Sequence, residues 1–478
     1  QNDLEKPILQ TAFDVAESPR KLLRYGFLSD FTEKDRDNGA LEWLLKCHIN
    51  LVQFYDWSYR HDSLVAPQED YHDMMGKEIS GSTVKAKIAK AKALGMHPTA
   101  YGAVYAASKP FFEKHPTWAF YNSCQEPFVF IDVFYIMNIA EGSPWRKHLF
   151  EEYQSAISMM GFSGIHMDTY GFPKTAYSHL DAIPKKIKLE NELPTLIDET
   201  RENVHGEEEP YLIFNNVGAW PVQRTADRKQ DAVYIEVWPP YDRYASIAQL
   251  IRDARTYAKD DKSTILAAYL KPFREGKREK ALPAAKLLMG SIVSNGATHL
   301  LTGENQTALT QGYYSDYTKF SDSEAEAIRR YYDYMIRYEN LFFDPELQDV
   351  TMTHTGWDNY EYQCTSHKVS SYGEAGKIWM ILREKDYRKC IYLLNLCGQS
   401  EDYWNEGKEE PNIQKDIKFT VQVDTPVEKI CFSTPDGENM DAIGLSFTER
   451  ATKTGKFIDF TVPSLNYWTT IWIDTKEE

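Results

Sequence analysis

The strongest constraint on the fold is a repeated alternation between short apolar runs and amphipathic helical patterns. Eight such runs occur between residues 21 and 344, and a segment with helical periodicity follows each of them. This alternation is typical of α/β proteins, because a helix carries the chain back before the next parallel strand begins. Eight units predict a closed (β/α)8 barrel of the TIM type. The runs lie at residues 24–31, 49–57, 96–105, 161–168, 211–218, 232–236, 263–271 and 297–304.

An open, doubly wound sheet is the main alternative for the same alternation. Sheets of that kind commonly bind nucleotides through glycine-rich turns. The sequence contains neither a GxGxxG nor a GxxxxGK(S/T) motif, which removes the usual support for such a site. We therefore favour the barrel.

Residues 345–478 follow a different pattern. Short alternating runs are separated by Gly, Asp, Asn and Pro, and no long helical pattern intervenes, which predicts an antiparallel β-sandwich. We divide the chain into a lead-in segment (1–20), a barrel (21–344) and a C-terminal sandwich (345–478). We expect the sandwich to brace the barrel, with glycan binding as the alternative role.

Composition narrows the class of partner. The net charge of -17 argues against nucleic acid or an anionic membrane, since either requires a basic surface. No apolar run is long enough to span a bilayer. Aromatic residues make up 14% of the chain, which fits carbohydrate binding as well as a tyrosine-rich core. The six cysteines are too sparse for a disulfide scaffold and lack metal-site spacing.

Two carboxylates stand where predicted strands end. Asp168 follows the apolar residues of 161–167, and Glu236 lies in the run 232–238 just before two prolines. Catalytic groups of a parallel barrel project from the carboxyl ends of its strands. A pair of carboxyl groups among aromatic rings suits acid/base or nucleophilic chemistry on a sugar acetal. The alternative for each residue is a helix cap or a hydrogen bond within a loop.

Four segments resemble glycoside hydrolase family 66, which contains dextranases and cycloisomaltooligosaccharide glucanotransferases. They are residues 24–31, 52–61, 161–171 and 234–239, and they occur in the order of the family's motifs. The resemblance covers about residues 10–340. It implies a retaining enzyme that cuts α-1,6-glucosidic linkages inside dextran and releases isomaltooligosaccharides.

The same resemblance implies roles for three acidic residues. Asp168 is expected to be the nucleophile and Glu236 the general acid/base, while Asp56 matches a third acidic position of the family's active site. The insertion at 107–144 is too short for the carbohydrate-binding module of the cyclising members, and there is no room for the immunoglobulin-like domain that commonly precedes the barrel. The short insertion favours a dextranase over a cyclising enzyme. The preceding domain was either cut away or is absent from this member.

The mechanism predicts the surroundings of both carboxyl groups. Asp168 must stay ionised, and we expect hydrogen-bond donors from Arg60, His61, His166 and Asn216. Glu236 must hold its proton, and the apolar setting of Ile235, Val237 and Trp238 is expected to raise its pKa. The candidate substrate-binding residues are Asp56, Trp57, Arg60, His61, Tyr105, His166, Asn216, Trp238, Tyr269 and Lys271.

These expectations leave two alternatives open. One is a transglycosylase or an α-glucanase of another linkage specificity, and the other is a glycan-binding surface protein without catalysis. We predict no cofactor, no metal ion and no nucleic-acid partner, and we expect a monomer that binds a polysaccharide. The substrate class and the start at Gln1 without an initiator Met predict an exported protein, whether periplasmic, at the cell surface or secreted.

Overall fold

The first part of the chain forms a curled parallel sheet. The computed structural model describes residues 10–36, 39–259, 262–356 and 358–476. Residues 1–9 of the predicted lead-in lie outside the described part. Each of the first seven strands pairs in parallel with the next one along the chain. The strands are β1 (Tyr25–Leu28), β2 (Leu51–Phe54), β3 (His97–Ala103), β4 (Gly164–Asp168), β5 (Tyr211–Val217), β6 (Ala232–Glu236), β7 (Ser263–Ala267), β8 (Thr298–His299) and β9 (Thr302–Gly303).

The last predicted strand is divided into two short pieces. β8 pairs with β7, whereas β9 pairs in parallel with β1, and two buried leucines, Leu300 and Leu301, separate them. A Cβ atom on Gly303 would lie 2.7 Å from the ring of Phe27. Glycine is therefore required where β9 approaches β1.

Helices follow the parallel strands in chain order, as the sequence predicts. Tyr153, in the helix Pro144–Ser155, donates a hydrogen bond to the Gly102 carbonyl of β3 at 3.1 Å, which illustrates how a helix is fixed to the sheet. The helix Asp322–Arg337 begins with a capping box between Ser321 and Glu324. The helices are α1 (Ala40–Lys46), α2 (Gly81–Ala93), α3 (Lys109–Lys114), α4 (Pro144–Ser155), α5 (Leu189–Asn203), α6 (Val222–Thr225), α7 (Tyr244–Ala258), α8 (Ala281–Ser294), α9 (Asp322–Arg337) and α10 (Glu339–Phe342).

Loops after the strands contain short antiparallel strands of their own. The insertion between β3 and α4 forms a three-stranded sheet from Ala106–Ala107, Phe134–Ile136 and Val129–Phe130, as expected for an elaborated loop. The loop between β4 and the helix Leu189–Asn203, in which the sequence predicts no strand, contains a hairpin of Thr175–Ser178 and Lys185–Lys188. These loops rise above the carboxyl ends of the strands and enclose a cleft.

The C-terminal region consists of two antiparallel sheets. Their strands are β10 (Gln348–Asp349), β11 (Tyr362–Cys364), β12 (Val369–Ser370), β13 (Ile378–Lys385), β14 (Arg388–Asn395), β15 (Gln414–Val423), β16 (Val427–Ser433), β17 (Ile443–Gly444), β18 (Phe447–Thr452), β19 (Gly455–Leu465) and β20 (Trp468–Thr475). One sheet has the strand order β10-β13-β14-β20-β16-β17, with β12 beside β13, and the other has the order β11-β15-β19-β18.

Both faces of the first of these sheets are buried. Met380 belongs to the core between the two sheets, while the next residue, Ile381, belongs to the core shared with the helices. On the helix side, the ring centroids of Trp468 and Tyr334 lie 4.9 Å apart, and a Cβ atom on Gly290 would lie 2.7 Å from Leu394. The sheet therefore packs directly on α8 and α9.

The expected α/β fold with a parallel sheet and separate C-terminal antiparallel sheets is confirmed, whereas the domain boundaries at residues 20 and 344 stay predictions. All six cysteines are unpaired thiols. Among the described helices, none is long and apolar enough to cross a bilayer.

Candidate active site

A cleft of about 1110 Å³ lies over the carboxyl ends of the parallel strands. Its two sides differ in chemistry. We call Phe130, Ile131, Phe134 and Tyr170 the aromatic wall, since three of its four side chains are rings. The opposite side, which we call the polar wall, consists of Lys271, Arg274, Glu275, Asn405 and Glu406.

The two predicted catalytic carboxyl groups meet between these walls. Asp168 ends β4 and Glu236 ends β6, and Asn215 of the intervening β5 bridges them. The amide nitrogen of Asn215 donates to Asp168 Oδ1 at 2.7 Å and to Glu236 Oε2 at 2.9 Å. Because one nitrogen makes both bonds, the two oxygens are no farther apart than the sum of these lengths. That limit is close to the ~5–5.5 Å between the carboxyl groups of retaining glycosidases.

A tyrosine hydroxyl binds the second oxygen of each carboxyl group. Tyr101 of β3 donates to Asp168 Oδ2 at 2.7 Å, and Tyr269, just beyond β7, donates to Glu236 Oε1 at 2.5 Å. Burial raises the pKa of both phenols, so they remain protonated donors at neutral pH. Each carboxyl group is thus held by two side-chain bonds and has a defined orientation.

Burial raises the pKa of both carboxyl groups. The pKa of Asp168 rises to about 7, because burial and the neighbouring charge of Glu236 outweigh the bonds from Asn215 and Tyr101. Burial also raises the pKa of Glu236, against the bonds from Tyr269, Asn215 and Trp238. Two like charges at this separation oppose each other, so the pair favours one proton shared between two sites near neutrality. That state supplies one carboxylate and one carboxylic acid.

The predicted hydrogen-bond donors of Asp168 are wrong, because the bonds come from Asn215 and Tyr101 instead. Asn216 points away from the cleft: its amide nitrogen donates to the Tyr234 carbonyl at 2.9 Å, and its oxygen accepts from Thr225 of α6 at 2.6 Å. Successive side chains on a strand face opposite sides, so the neighbouring Asn215 occupies the position expected for Asn216.

Arg60 and two aromatic residues predicted to bind substrate also lie outside the cleft lining. Arg60 donates to the His72 carbonyl at 2.9 Å and stacks on the ring of Tyr59. Trp57 is fully buried, and its indole nitrogen donates to the Tyr101 carbonyl at 3.1 Å. Tyr105 is buried and donates to the Phe172 carbonyl at 2.8 Å. These side chains stabilise the loops around the cleft.

The remaining predicted residues line the cleft, namely Asp56, His61, His166, Trp238, Tyr269 and Lys271. Nδ1 of His166 and the hydroxyl of Tyr25 share a hydrogen bond of 3.0 Å. Burial lowers the pKa of His166 to about 3. Burial lowers the pKa of His61 to about 4. Both imidazoles are therefore neutral at pH 7, and neither provides a positive charge for Asp168.

Asp56 has an unusual backbone conformation and a raised pKa. Its φ of 49° places it in the left-handed region just after β2, and it lines the cleft. Burial, together with the negative charge of Asp73, raises the pKa of Asp56 to about 8, while Lys77 opposes the shift. Asp56 therefore favours a protonated carboxyl group near neutrality, which can donate a hydrogen bond to a sugar oxygen.

Several buried polar atoms at the cleft have no hydrogen-bond partner among the described residues. They are Gln53 Oε1, His61 Nδ1, the Tyr170 hydroxyl and Asn215 Oδ1. Buried polar groups are normally paired, so these atoms are available to a ligand or to water. A ligand with many hydroxyl groups satisfies such a set.

Sequence reasoning missed Asn215, Tyr101 and the stretch of residues 403–406. Strand alternation identifies Asn215 once Asp168 is known to face inward, because both lie at the same level of neighbouring strands. No local signal identifies Tyr403, Trp404, Asn405 and Glu406, which come from the C-terminal region and reach the cleft through tertiary packing.

The comparison with known families agrees with this site. Residues 2–472 match the profile of Glycosyl hydrolase family 66, so the chain belongs to this family. The resemblance seen in the four sequence segments is thereby confirmed. Family membership extends through the C-terminal sheets as well as the parallel sheet.

Two curated relatives from Niallia circulans are cycloisomaltooligosaccharide glucanotransferases. They are 22% and 20% identical to this chain over 97% of its length, and the chain covers 62% and 63% of them. The chain thus spans less than two thirds of the length of these relatives. Their activity is a property of the longer proteins.

Solved structures show the same fold. The crystal structure of a cycloisomaltooligosaccharide glucanotransferase from Paenibacillus sp., complexed with cycloisomaltoheptaose, matches with a TM-score of 0.87 at 18% identity, covering 97% of this chain and 86% of that one. A maltogenic α-amylase from Thermotoga neapolitana matches with a TM-score of 0.58 at 11% identity, covering 96% and 99%. At these identities the likeness concerns the fold.

Proposed function

We propose that the protein is a retaining, endo-acting glycoside hydrolase that cleaves α-1,6-glucosidic linkages of dextran to isomaltooligosaccharides. The observation that carries this proposal is the pair of strand-end carboxyl groups joined by Asn215. This limit on the distance between Asp168 Oδ1 and Glu236 Oε2 favours double displacement over the ~6.5–9.5 Å arrangement of inverting enzymes. Membership of the family and the names of its relatives support an α-1,6-linked glucan as substrate.

In the first half-reaction, ionised Asp168 attacks the anomeric carbon of the glucose unit at the cleavage point. Protonated Glu236 gives its proton to the glycosidic oxygen, which leaves with the rest of the chain. Asn215 and Tyr101 hold Asp168, while Tyr269 orients Glu236. Positioning of this kind reduces the entropic part of the barrier.

In the second half-reaction, Glu236 acts as a base. It takes a proton from water, whose oxygen attacks the anomeric carbon, and the bond to Asp168 breaks with its electrons returning to the carboxylate. A sugar hydroxyl can replace water at this step, which gives transglycosylation. The glucanotransferase names of the relatives favour this second candidate activity.

The size and lining of the cleft support a polymeric substrate. Its volume of about 1110 Å³ exceeds the ~300–1,000 Å³ range of ordinary small-molecule sites. Asp56, His61 and Gln53 offer hydrogen bonds to hydroxyl groups, while Trp238 and Tyr170 offer flat rings to the apolar faces of glucose. We further propose that the protein acts as a monomer outside the cell, where a polymer as large as dextran is accessible.

We also infer that the curled sheet is a closed (β/α)8 barrel. The parallel pairing of β9 with β1 and of β8 with β7 supports closure, with a single strand divided at Leu300 and Leu301. A closed barrel gives Asp168 and Glu236 a rigid base, because every strand is then fixed by neighbours on both sides.

Incubation with dextran, and separately with starch and pullulan, tests the activity. We expect a mixture of short isomaltooligosaccharides from dextran alone, and NMR of the earliest product should show the α-anomer. Asp168→Asn should abolish release, whereas Asp227→Asn, at an exposed site beside Arg228, should not change it. Release of the β-anomer first would contradict double displacement, and products from starch instead would contradict the linkage specificity.

A further inference from the structure

A segment of the C-terminal region forms part of the cleft. Residues 401–408 lie in the connection between β14 and β15 and extend over the loops that follow β6 and β7. Tyr403, Trp404, Asn405 and Glu406 line the same cleft as Asp168. The C-terminal region therefore does more than brace the parallel sheet.

The segment is fixed to the loop after β6 by several bonds. Trp404 is buried, and its indole nitrogen donates to the Tyr241 carbonyl at 2.7 Å. The Trp404 amide donates to the Asp242 carbonyl at 3.1 Å. Arg243 pairs with Asp402 and donates to the Tyr403 hydroxyl at 2.9 Å. This part of the cleft edge is therefore joined covalently to one domain and by hydrogen bonds to the other.

A buried lysine fixes the shape of the segment itself. The side chain of Lys408 is completely buried, and its ammonium group pairs with Glu401 at 2.6 Å. The same group donates to the backbone carbonyls of Tyr403 and Glu406. Because one cation satisfies both ends of the turn, the segment is preorganised without a ligand.

Preorganisation brings three polar side chains together on the polar wall. The backbone amide of Lys271 donates to Asn405 Oδ1 at 3.0 Å, and its ammonium group pairs with Glu406 Oε1 at 2.6 Å. The Asn405 amide nitrogen, the other protons of the Lys271 ammonium and the second Glu406 oxygen remain for a ligand. This mixture of donors and acceptors matches neighbouring hydroxyl groups of glucose, each of which both donates and accepts.

The position of this cluster assigns it to one side of the cleavage point. Lys271 lies two residues beyond Tyr269, whose hydroxyl binds Glu236. The ring of Trp238, which is 40% exposed, lies 5.7 Å from that of Tyr269 and offers a flat surface beside the cluster. An acid that protonates the leaving oxygen lies next to the leaving sugar, so the cluster faces the glucose units on the leaving side.

We propose that Lys271, Asn405 and Glu406 form a binding site for a glucose unit on the leaving side of the cleaved bond, and that the same site holds the sugar acceptor in transglycosylation. This inference rests on the proposed α-glucan activity of Asp168 and Glu236. In transfer, a hydroxyl oxygen of the bound acceptor attacks the anomeric carbon while Glu236 removes its proton. The bond between that carbon and Asp168 breaks, and its electrons return to the carboxylate.

Two glycosyl donors, isomaltotetraose and α-isomaltosyl fluoride, separate the effect of this site from that of the catalytic centre. In isomaltotetraose the leaving group is a sugar, whereas in α-isomaltosyl fluoride it is fluoride, which occupies no sugar site. Glu406→Ala and Asn405→Ala should each lower kcat/KM for isomaltotetraose about tenfold, the effect of one lost hydrogen bond, and leave hydrolysis of the fluoride within about twofold. With the fluoride as donor, the KM of added isomaltose as acceptor should rise by a similar factor.

Glu409→Ala is the matched control, because Glu409 belongs to the same connection and pairs with Lys280 instead of contacting the cleft. It should change neither donor's kcat/KM. Thermal melting checks that all variants fold. If both donors are affected equally, or neither is affected in folded variants, the leaving-side site is contradicted. If the unmodified protein releases nothing from dextran or from the fluoride, the proposed activity itself fails and this inference fails with it.

Discussion

The two walls of the cleft differ in the chemistry of their side chains and in the regions of the chain that form them. The aromatic wall comes from the loops after β3 and β4, in which Phe130 and Tyr170 stack with ring centroids 4.4 Å apart. The polar wall joins the loop after β7 to the C-terminal segment through the pair of Lys271 and Glu406. Stacked rings bind by contact area, whereas the polar wall binds through directed hydrogen bonds.

The proposed catalytic pair lies between the two walls, and the proposed mechanism gives each wall one role. Tyr170 follows the nucleophile candidate Asp168 by two residues, and Lys271 likewise follows by two residues the tyrosine that binds Glu236. In the proposed mechanism, sugar units beside Asp168 remain bound through the covalent step, while those beside Glu236 leave and are replaced. Contact with ring faces suits the part of the glucan that stays bound, and a polar site with directed hydrogen bonds suits the sugar units that leave and are replaced.

The largest effect should come from Glu236→Gln, which removes the acid from the polar side of the pair. We expect kcat/KM for dextran to fall about 10³-fold, because proton transfer to the leaving oxygen is lost. The first half-reaction of α-isomaltosyl fluoride needs no such proton, so the fluoride released in the initial burst should be nearly unchanged. Measurement of the burst and of steady-state turnover checks both points, and an equal loss of both would contradict the acid role.

The next largest effect should follow Asn215→Leu, which removes the bridge between the two sides. We expect kcat to fall about 10²-fold, a common consequence of removing one oriented donor from an active site.

The same variant should shift the pH profile. The bonds from Asn215 favour the charged form of both carboxyl groups, so their loss should raise both pKa values. Asp168 must be ionised to attack, and its pKa of about 7 predicts that kcat/KM falls below pH 7. In the variant this acidic limb should move to higher pH.

Asn216→Ala is the control for that prediction. Its side chain bonds Thr225 and the Tyr234 carbonyl on the outer side of the sheet. Leaving those groups unpaired should lower the free energy of unfolding by about 1–3 kcal/mol. The acidic limb of the pH profile should stay in place, and a shift equal to that of Asn215→Leu would contradict the assignment of the bridge.

A third test addresses the aromatic wall. Phe130→Ala removes a ring that stacks on Tyr170, and we expect the KM to rise about tenfold, consistent with ~1.5 kcal/mol for an aromatic contact. Dextran and the fluoride donor should be affected alike, because both occupy the side next to Asp168. Phe128→Ala, in the same loop but outside the cleft lining, is the control and should leave both KM values unchanged. An effect on dextran alone would assign this wall to the leaving side.

The sequence predicts the framework better than the lining. The proximity of Asp168 and Glu236 is predictable because each ends a buried strand, and strand ends meet at one edge of a parallel sheet. The choice between Asn215 and Asn216 failed because two adjacent polar residues give no indication of which one faces inward. Strand alternation settles it only after the register with β4 is known.

Aromatic residues were the least predictable part. Trp57 and Trp238 both follow strand ends, yet Trp57 packs against Phe162 in the core while Trp238 is exposed in the cleft. A large ring is equally suited to a core and to a sugar-binding surface, so local sequence does not separate these roles. Asn405 and Glu406 were missed for another reason, because they reach the cleft through packing between regions far apart in the sequence.

The smallest expected effect lies at the tip of the aromatic wall. Ile131 has a φ of 46°, a left-handed conformation that β-branched residues rarely adopt, and its side chain is half exposed. Asn accepts this conformation more readily, so Ile131→Asn should raise the free energy of unfolding by about 1 kcal/mol. Urea denaturation measures this gain. Ile183→Asn, at an exposed isoleucine away from the cleft, should change stability by less than about 0.5 kcal/mol. If Ile131→Asn also raises the KM for dextran, the strained isoleucine is retained for its contact with substrate; if the KM is unchanged, binding by this wall depends on its rings alone.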